Sequence, residues 1–215
     1  MGGAITLPWQ DDNVAEAAEA EDLQQLRWLL DNHGDPNALS RSSGRTALGC
    51  VAAGGRSDVV KLLLAARAEV NLCDAGGHCE AGSGSALHHS SSNGWEETSG
   101  LLLSHGADPD IYDEMGSTAL HIAAVEGRSE VVSVLIDSRA NLETKESELA
   151  SGWRRALHLA VIAGRVEAAK CLLDAKAIVN VAPSSPRSRV TPMHLAAFNG
   201  RECLSLGFRP VEQRF

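Results

Sequence analysis

Histidine and cysteine side chains lie close together in one segment of the chain, where they could bind a metal ion. The segment contains His78, Cys79, His88 and His89, and imidazole and thiolate are ligands that zinc prefers. Residues 74–84 are rich in glycine, which favours a flexible extended loop over a preorganised site. We therefore predict no metal ligand here. The alternative, metal-dependent hydrolysis through His78 and Cys79, would require stoichiometric zinc in the purified protein.

Three further histidines, His121, His158 and His194, recur at one position of a repeated motif. Side chains on successive repeats cannot converge on one ion, so we interpret them as hydrogen-bonding links within and between repeats. The sequence has no G-x-x-x-x-G-K-[ST] phosphate loop, no strand-preceded G-x-G-x-x-G, and no kinase, H-E-x-x-H or G-x-S-x-G signature. We predict no catalytic residue, no cofactor and no enzymatic activity.

Internal repetition indicates the elements that position these residues. Five stretches align without gaps, and in the first four of them a polar residue follows the motif's leucine by 23 positions. The stretches begin at Thr46, Ser85, Thr118, Arg155 and Thr191, and the polar residues are Asn71, Asp110, Glu143 and Asn180. The same spacing counted back from Asn37 gives Val14, which indicates an additional N-terminal unit. The connectors between units vary in length, so we expect them to tolerate insertion.

Each unit reads as two short helices separated by a glycine such as Gly127. Thr46, Thr118 and Thr191 stand where a hydroxyl group can cap the first helix, and Pro192 follows at a favoured first helical position. Helices of about ten residues do not persist alone in water. Neighbouring units must therefore bury one another's apolar faces.

On these motifs the chain resembles the ankyrin-repeat family. The motifs that carry the resemblance are T-[AP]-L-H-x-A-A, Gly-Arg, Val-Val-x-x-Leu and a period of 33 residues, over roughly residues 13 to 206. The resemblance implies an all-α solenoid of stacked helix-turn-helix units with β-hairpin or loop fingers. It also implies a concave face, formed by the fingers and the first helices, that binds partner proteins.

Departures from the family pattern predict where the array is weak. Gly49 replaces the motif histidine, so we expect a hydrogen-bonding link to be missing there. The second unit carries polar residues and Gly100 in its helices, which predicts a soft joint. The family usually has glycine at the end of the second helix. Arg67, Arg139 and Lys176 stand there in three units, and we expect a left-handed backbone at each.

The resemblance places partner binding at the finger tips and at the front of each first helix. The residues at these positions are Tyr112, Glu114, Met115, Ser117, Val125, Glu126, Trp153, Arg154, Ile162 and Phe198. We predict Tyr112, Trp153 and Arg154 as anchors, because aromatic and arginine side chains dominate interface energies. Two alternatives stay open: Tyr112 and Trp153 pack against the adjacent finger, and Glu114 and Glu126 are solvated charges.

Composition restricts the class of partner and the compartment. The formal net charge of −9 argues against nucleic-acid binding, which requires a basic surface. Five scattered cysteines without a C-x-x-C spacing favour reduced thiols, and hence the cytoplasm or the nucleus. No apolar run is long enough for a membrane span, so we expect no stable membrane insertion. The start matches the N-myristoylation pattern at Gly2, but one acyl chain without a basic cluster anchors only weakly. We expect a monomer.

These observations divide the chain into a flexible segment at residues 1–12, a repeat domain at 13–206 and an irregular tail at 207–215. The helical pattern stops after Leu206, and Pro210 cannot continue it. We interpret the last repeat as cut short, so that the chain is a fragment, splice form or altered reading frame of a longer protein, or else its tail folds back as a cap. The leading functional hypothesis is an interaction scaffold or adaptor. The alternative is a regulatory or targeting region of a larger enzyme, channel or ubiquitin-ligase assembly.

Overall fold

The computed structural model describes residues 13–75, 84–146, 154–179 and 191–192, and within them it contains ten α-helices and no strand. The helices are α1 Val14–Glu19, α2 Leu23–Asp31, α3 Ala47–Ala53, α4 Ser57–Ala65, α5 Ala86–Asn93, α6 Glu96–Ser104, α7 Ala119–Glu126, α8 Ser129–Asp137, α9 Ala156–Ala163 and α10 Val166–Asp174. They form five pairs, which we call the N-terminal, first, second, third and fourth units. The predicted N-terminal unit is confirmed, and the all-α class with it.

The helices stack in two layers. The first helix of each unit, α1, α3, α5, α7 and α9, packs on the first helix of the next unit, while α4, α6, α8 and α10 form a second layer behind them. One leucine of each second helix is at most 1% exposed; these are Leu26, Leu63, Leu102, Leu135 and Leu172. Full burial of a leucine side chain contributes about 1.5–3 kcal/mol. Contacts between units therefore supply the stability that no single pair of helices has.

The connectors between units are named fingers here, and each is numbered by the unit that follows it. A row of hydrogen bonds joins the bases of successive fingers. The polar residue that recurs 23 positions after the motif's leucine accepts a backbone N–H of the next connector. The bonds are Glu69 N to Asn37 Oδ1 (2.7 Å), Asp108 N to Asn71 Oδ1 (2.8 Å), Asn141 N to Asp110 Oδ1 (3.0 Å) and Ile178 N to Glu143 Oε1 (2.8 Å). The constant spacing in the sequence thus reflects a bond between units.

A second row of hydrogen bonds lies at the opposite end of the helices. Side chains at the start of the second helices donate to a carbonyl group of the preceding unit: Trp95 Nε1 to Ala53 O (2.8 Å), Arg128 Nε to Ser92 O (3.0 Å) and Arg165 Nε to Val125 O (2.9 Å). From the first to the fourth, each unit is therefore fastened to its neighbour at two separated points.

Capping follows the sequence at the first helices and not at the second ones. Thr46 Oγ1 accepts the N–H of Gly49 at 2.9 Å, and Pro192 is helical, as predicted. The second helices α4, α6, α8 and α10 begin without a capping side chain.

The predicted left-handed residues are confirmed at the ends of three second helices. Arg67, Arg139 and Lys176 have φ of 66°, 64° and 66°, and Gly106 occupies the same position in the second unit with φ of 88°. A side chain in this conformation costs about 1–2 kcal/mol that glycine does not.

We expect Arg139→Gly to raise the melting temperature, because it removes about 1 kcal/mol of backbone strain. Differential scanning calorimetry measures the change. The control is Ser138→Gly at the preceding residue. Ser138 has a φ of −83°, so glycine relieves no strain there and this variant should be less stable than the wild type. A lower melting temperature for Arg139→Gly would refute the role of this turn.

Polar side chains fill part of the second unit's core. Ser99 Oγ donates to Ser90 Oγ at 2.8 Å, and Ser90 Oγ donates to the Leu87 carbonyl group at 3.1 Å. The hydroxyl group of Ser91 is buried and has no hydrogen-bond partner. The lower stability predicted for this unit stays a prediction. The unpaired hydroxyl group supports it, because a buried polar group without a partner is destabilising.

Gly100→Ala is expected to stabilise the protein by about 0.5–1 kcal/mol, because glycine is unfavourable inside a helix. A methyl group at this position of α6 meets only Val134 Cγ1, at an ordinary 3.7 Å. Urea denaturation measures the gain. Gly106→Ala is the opposite control, because its φ of +88° makes alanine unfavourable there. A loss of stability in Gly100→Ala would contradict the packing of α6 against α8.

Candidate functional site

The motif histidines hold fingers in place. His88 Nδ1 accepts the N–H of Ser85 at 3.1 Å, so its Nε2 carries the proton and donates to the Ile111 carbonyl group at 3.1 Å. His121 repeats the arrangement with the N–H of Thr118 at 3.2 Å and the carbonyl group of Thr144 at 3.1 Å. The prediction that these histidines link repeats is confirmed for this pair. His158 Nδ1 accepts the N–H of Arg155 at 3.3 Å, and His194 lies outside the described residues.

Burial lowers the pKa of these histidines. The pKa of His121 falls from an ordinary 6.5 to about 4, mainly through desolvation, and the pKa of His88 is lowered for the same reason. Both imidazoles are therefore neutral in the folded protein near neutral pH.

The free energy of unfolding is expected to fall as the pH is lowered from 6 to 5. In this window the unfolded chain protonates His121 and the folded protein does not, so the loss approaches about 1.4 kcal/mol per pH unit for this residue. Urea denaturation at several pH values measures the slope. His121→Asn should reduce it, whereas His33→Asn, at an exposed position, should not. Other groups also contribute to the slope: burial raises the pKa of Glu146, which makes the free energy of unfolding rise as the pH falls. The contribution of His121 is therefore taken from the difference between the variants. An unchanged slope in His121→Asn would contradict this assignment.

The prediction that the first unit lacks a hydrogen-bonding link at Gly49 is wrong. Asp74 of the second finger replaces the missing imidazole: its Oδ1 accepts the N–H of Thr46 at 2.8 Å and the Thr46 hydroxyl group at 3.2 Å. Its Oδ2 lies 2.6 Å from Nε2 of His89, with the two side chains 1% and 9% exposed. A Cβ atom on Gly49 would lie 2.9 Å from Asp74 Oδ1, so glycine provides the space for the carboxylate.

Two of the four residues in the histidine and cysteine cluster thus have other roles. His88 and His89 bind within the repeats, while His78 and Cys79 lie outside the described residues. Within the part of the chain that the structure describes, no group of three or more His, Cys, Asp or Glu residues could hold a metal ion, and no helix is long and apolar enough to cross a membrane.

The tip of the third finger carries two exposed apolar side chains. Tyr112 is 47% exposed and Met115 is 58% exposed, and both are among the five exposed large hydrophobic residues of the described chain. Hydrogen bonds from the N–H of Asp113 to the Ser117 carbonyl group (2.8 Å) and from the N–H of Ser117 to Asp113 Oδ1 (2.7 Å) close the loop between them. The apolar tip is therefore held by its own turn.

The third and fourth fingers are in contact. The hydroxyl group of Tyr112 donates to the Lys145 carbonyl group at 3.1 Å, so the packing alternative for Tyr112 is confirmed while nearly half of the residue stays exposed. Ser117 Oγ lies 3.5 Å from Oε1 of Glu146, whose N–H donates to the carbonyl group of Arg154. Together the two fingers form one edge of the face built by fingers and first helices.

The remaining predicted residues differ in exposure. Glu114 and Glu126 are exposed, whereas Ser117, Val125, Arg154 and Ile162 are half-buried. Trp153 and Phe198 lie outside the described residues. We call Tyr112, Glu114 and Met115, together with Val125 and Glu126 in the last turn of α7, the third-finger surface.

The sequence reasoning missed a cleft of about 140 Å³ between the N-terminal and first units. Its lining includes Leu26 and Val51, with Glu19, Arg45 and Cys50 around them. Glu19 accepts hydrogen bonds from two serine hydroxyl groups of the first finger, and the first of these, from Ser40, lowers its pKa. The repeat alignment places Glu19 at the position of Val125. Because Val125 is a predicted binding position, this alignment could have been used to assign the N-terminal unit to the binding face as well.

Stacked helix pairs joined by linked fingers define the class of helical-repeat arrays. The family model described as "Ankyrin repeats (3 copies)" matches residues 70–146. The model described as "Ankyrin repeats (many copies)" matches residues 14–64 and 120–173. The chain belongs to the ankyrin-repeat family.

The curated proteins similar to this chain share its repeats over short segments. It is 41% identical over 85 residues to the probable E3 ubiquitin-protein ligase XBOS34 of Oryza sativa subsp. japonica, covering 40% of this chain and 16% of that protein. It is 38% identical over 98 residues to the putative E3 ubiquitin-protein ligase XBAT35 of Arabidopsis thaliana (46% and 19%). It is 39% identical over 67 residues to protein phosphatase 1 regulatory subunit 12A of Mus musculus (31% and 6%). The match thus spans at most a fifth of each of these relatives.

Proposed function

We propose that this chain is an interaction scaffold or adaptor that binds a partner protein through the face formed by its fingers and first helices, centred on the third-finger surface. Ankyrin repeats bind proteins, and the observation that carries the choice of surface is the pair of exposed apolar side chains, Tyr112 and Met115, on one closed loop. Exposed apolar groups on a preorganised tip bind at a low entropic cost. We also propose that the protein is located in the cytoplasm or the nucleus.

Affinity capture with matched variants tests the surface. Tyr112→Ala combined with Met115→Ala removes both apolar groups, while Ile178→Ala removes an equally exposed apolar group (50%) outside the third-finger surface. Proteins captured by the wild type and by Ile178→Ala but lost from the double variant are the expected result. The same proteins captured by all three baits would overturn the choice of surface.

Tyr112→Phe separates binding from finger packing. It keeps the ring and removes only the 3.1 Å hydrogen bond to the Lys145 carbonyl group. We expect it to retain the captured proteins, because the apolar ring and not the hydroxyl group faces the partner.

A second candidate function is suggested by the relatives. Two of those reported above are named as ubiquitin-protein ligases, and their match covers 16% and 19% of their length. By analogy, the array would select the target of a larger ligase or other assembly. Sequencing full-length transcripts tests this candidate: an in-frame catalytic domain would support it, and transcripts that encode the repeats alone would exclude it.

A further inference from the structure

The negative charge of the protein is concentrated in one part of the array. Residues 68–127 contain ten of the 28 Asp and Glu residues and none of the 19 Lys and Arg residues. The rest of the chain therefore carries 18 acidic and 19 basic residues, which nearly cancel. The net charge of −9 thus arises in the segment that includes the second unit, the third finger and α7.

Several of these carboxylates have structural roles. Asp74 is buried against His89, Asp110 accepts the N–H of Asn141, and Asp113 closes the third finger. Glu114 and Glu126 are different: both are exposed, and neither makes an ion pair within the described residues. Their charge is available to a partner.

The field of the third finger extends to its neighbour. Asp113 and Glu114 both contribute, after burial, to raising the pKa of Cys73 in the second finger. Because no lysine or arginine lies in this segment, nothing within it neutralises that field. The segment that carries the finger tip is therefore electronegative, and the cations beside it, Lys145 and Arg154, belong to the fourth finger.

Acidic and apolar groups are interleaved on the same surface. Glu114 stands between Tyr112 and Met115 in the chain, and Glu126 follows Val125 at the end of α7. Val125 and Glu126 lie in the last turn of α7, at the end of the helix away from the finger bases, where the Val125 carbonyl group accepts a hydrogen bond from Arg165 Nε. The third-finger surface is thus an apolar patch with carboxylates beside it.

We propose that the segment recognised by this surface is a basic peptide segment of a partner protein with one aromatic or long aliphatic anchor. The anchor packs against Tyr112 and Met115, and the flanking Lys or Arg side chains pair with Glu114 and Glu126. This inference rests on the proposed function, because it names the chemistry of the partner at the same surface. Charge complementarity selects this partner: an acidic segment would be repelled, and a neutral one would leave both carboxylates unpaired.

Three synthetic peptide libraries test this inference. Each has a central Trp or Leu, and the flanking positions are Lys and Arg, Ser and Gln, or Asp and Glu; fluorescence polarisation measures binding to the full chain. We expect the basic library to bind at least about tenfold more tightly than the neutral one, and its Kd to rise with ionic strength.

Charge reversal locates the effect. Glu114→Lys combined with Glu126→Lys should weaken binding of the basic library at least about tenfold. Glu130→Lys combined with Asp137→Lys makes the same change of charge at exposed positions of α8 and should alter binding less than about twofold. An equal loss in both variants, or equal binding of the basic and neutral libraries, would overturn the proposal.

The outcomes distinguish this inference from the proposed function. If neutral or acidic peptides bind best and are lost from the variant with Tyr112→Ala and Met115→Ala, the surface binds partners but the chemistry inferred here is wrong. If that variant binds every peptide as the wild type does, the third-finger surface is not the binding site and both proposals fail.

Discussion

Asp74→Ala is expected to lower the free energy of unfolding by about 3–5 kcal/mol, because two buried donors lose their acceptor at about 1–3 kcal/mol each. Within the described residues, the carboxylate accepts hydrogen bonds from the backbone N–H of Thr46 and from Nε2 of His89. Alanine would leave both donors buried without a partner, and it would open a cavity beside Gly49. No other single carboxylate in the described chain joins two units from so buried a position.

Urea denaturation followed by circular dichroism measures this loss. Asp108→Ala is the control, because Asp108 is exposed and its side chain accepts only the N–H of Asp110 within its own turn. We expect that variant to lose less than about 1 kcal/mol. His89→Ala and the double variant complete a double-mutant cycle, in which the coupling energy should be large. Equal losses for Asp74→Ala and Asp108→Ala would show that the buried link is unimportant.

Gly55→Ala should destabilise the protein by about 3 kcal/mol, from two causes. The residue has a φ of +70°, which costs alanine about 1 kcal/mol. Its new Cβ atom would also lie 2.4 Å, 2.7 Å and 2.8 Å from three atoms of the Trp95 indole ring, and overpacking of this kind costs about 2 kcal/mol. The ring cannot move aside without breaking its 2.8 Å hydrogen bond to the Ala53 carbonyl group.

Gly106→Ala separates the two causes. Gly106 has a φ of +88°, but a Cβ atom there has nothing within 4 Å, so only the backbone cost of about 1 kcal/mol remains. Thermal and urea denaturation of both variants give the difference. If Gly55→Ala loses no more stability than Gly106→Ala, the contact between Gly55 and Trp95 does not hold the first and second units together.

The helical repeats could be predicted because their physical requirements recur in the sequence. The buried leucines and the polar residue at a fixed distance satisfy the same need in successive units, and Thr46 caps α3 as its position in the motif predicts. The left-handed positions at Arg67, Arg139 and Lys176 followed from the same alignment. Regular spacing in the chain was sufficient for these elements, because regular contacts produce it.

The link between Asp74 and His89 could not be predicted in this way. In other units the motif histidine accepts the N–H at the start of the first helix. In the first unit Asp74 of the next finger accepts it instead, and this exchange occurs once in the described chain. Trp95 is a similar case, since it occupies the position of Arg128 and Arg165 and makes the same type of hydrogen bond with a different group. A pattern search identifies residue types, whereas the structure conserves the position of a donor or an acceptor.

The candidate site was predicted in part. The residues assigned to the third finger by the family resemblance include two of the three most exposed large apolar side chains of the described chain, Tyr112 and Met115. The cleft beside Glu19 was missed, because the predicted binding residues begin only at the third finger. The two serine partners of this carboxylate, Ser40 and Ser42, depend on how the first finger folds over α1, which spacing alone does not show.

The two rows of hydrogen bonds have a consequence for how such a chain changes in evolution. At each bond one unit contributes a side chain and its neighbour contributes only a peptide group, which nearly every residue provides. Units joined in this way can be duplicated, deleted or shuffled without altering the sequence of the unit next to them. The junction made by Asp74 is the exception, since the first unit also contributes the Thr46 hydroxyl group and the space at Gly49. The first and second units are therefore expected to be inherited together.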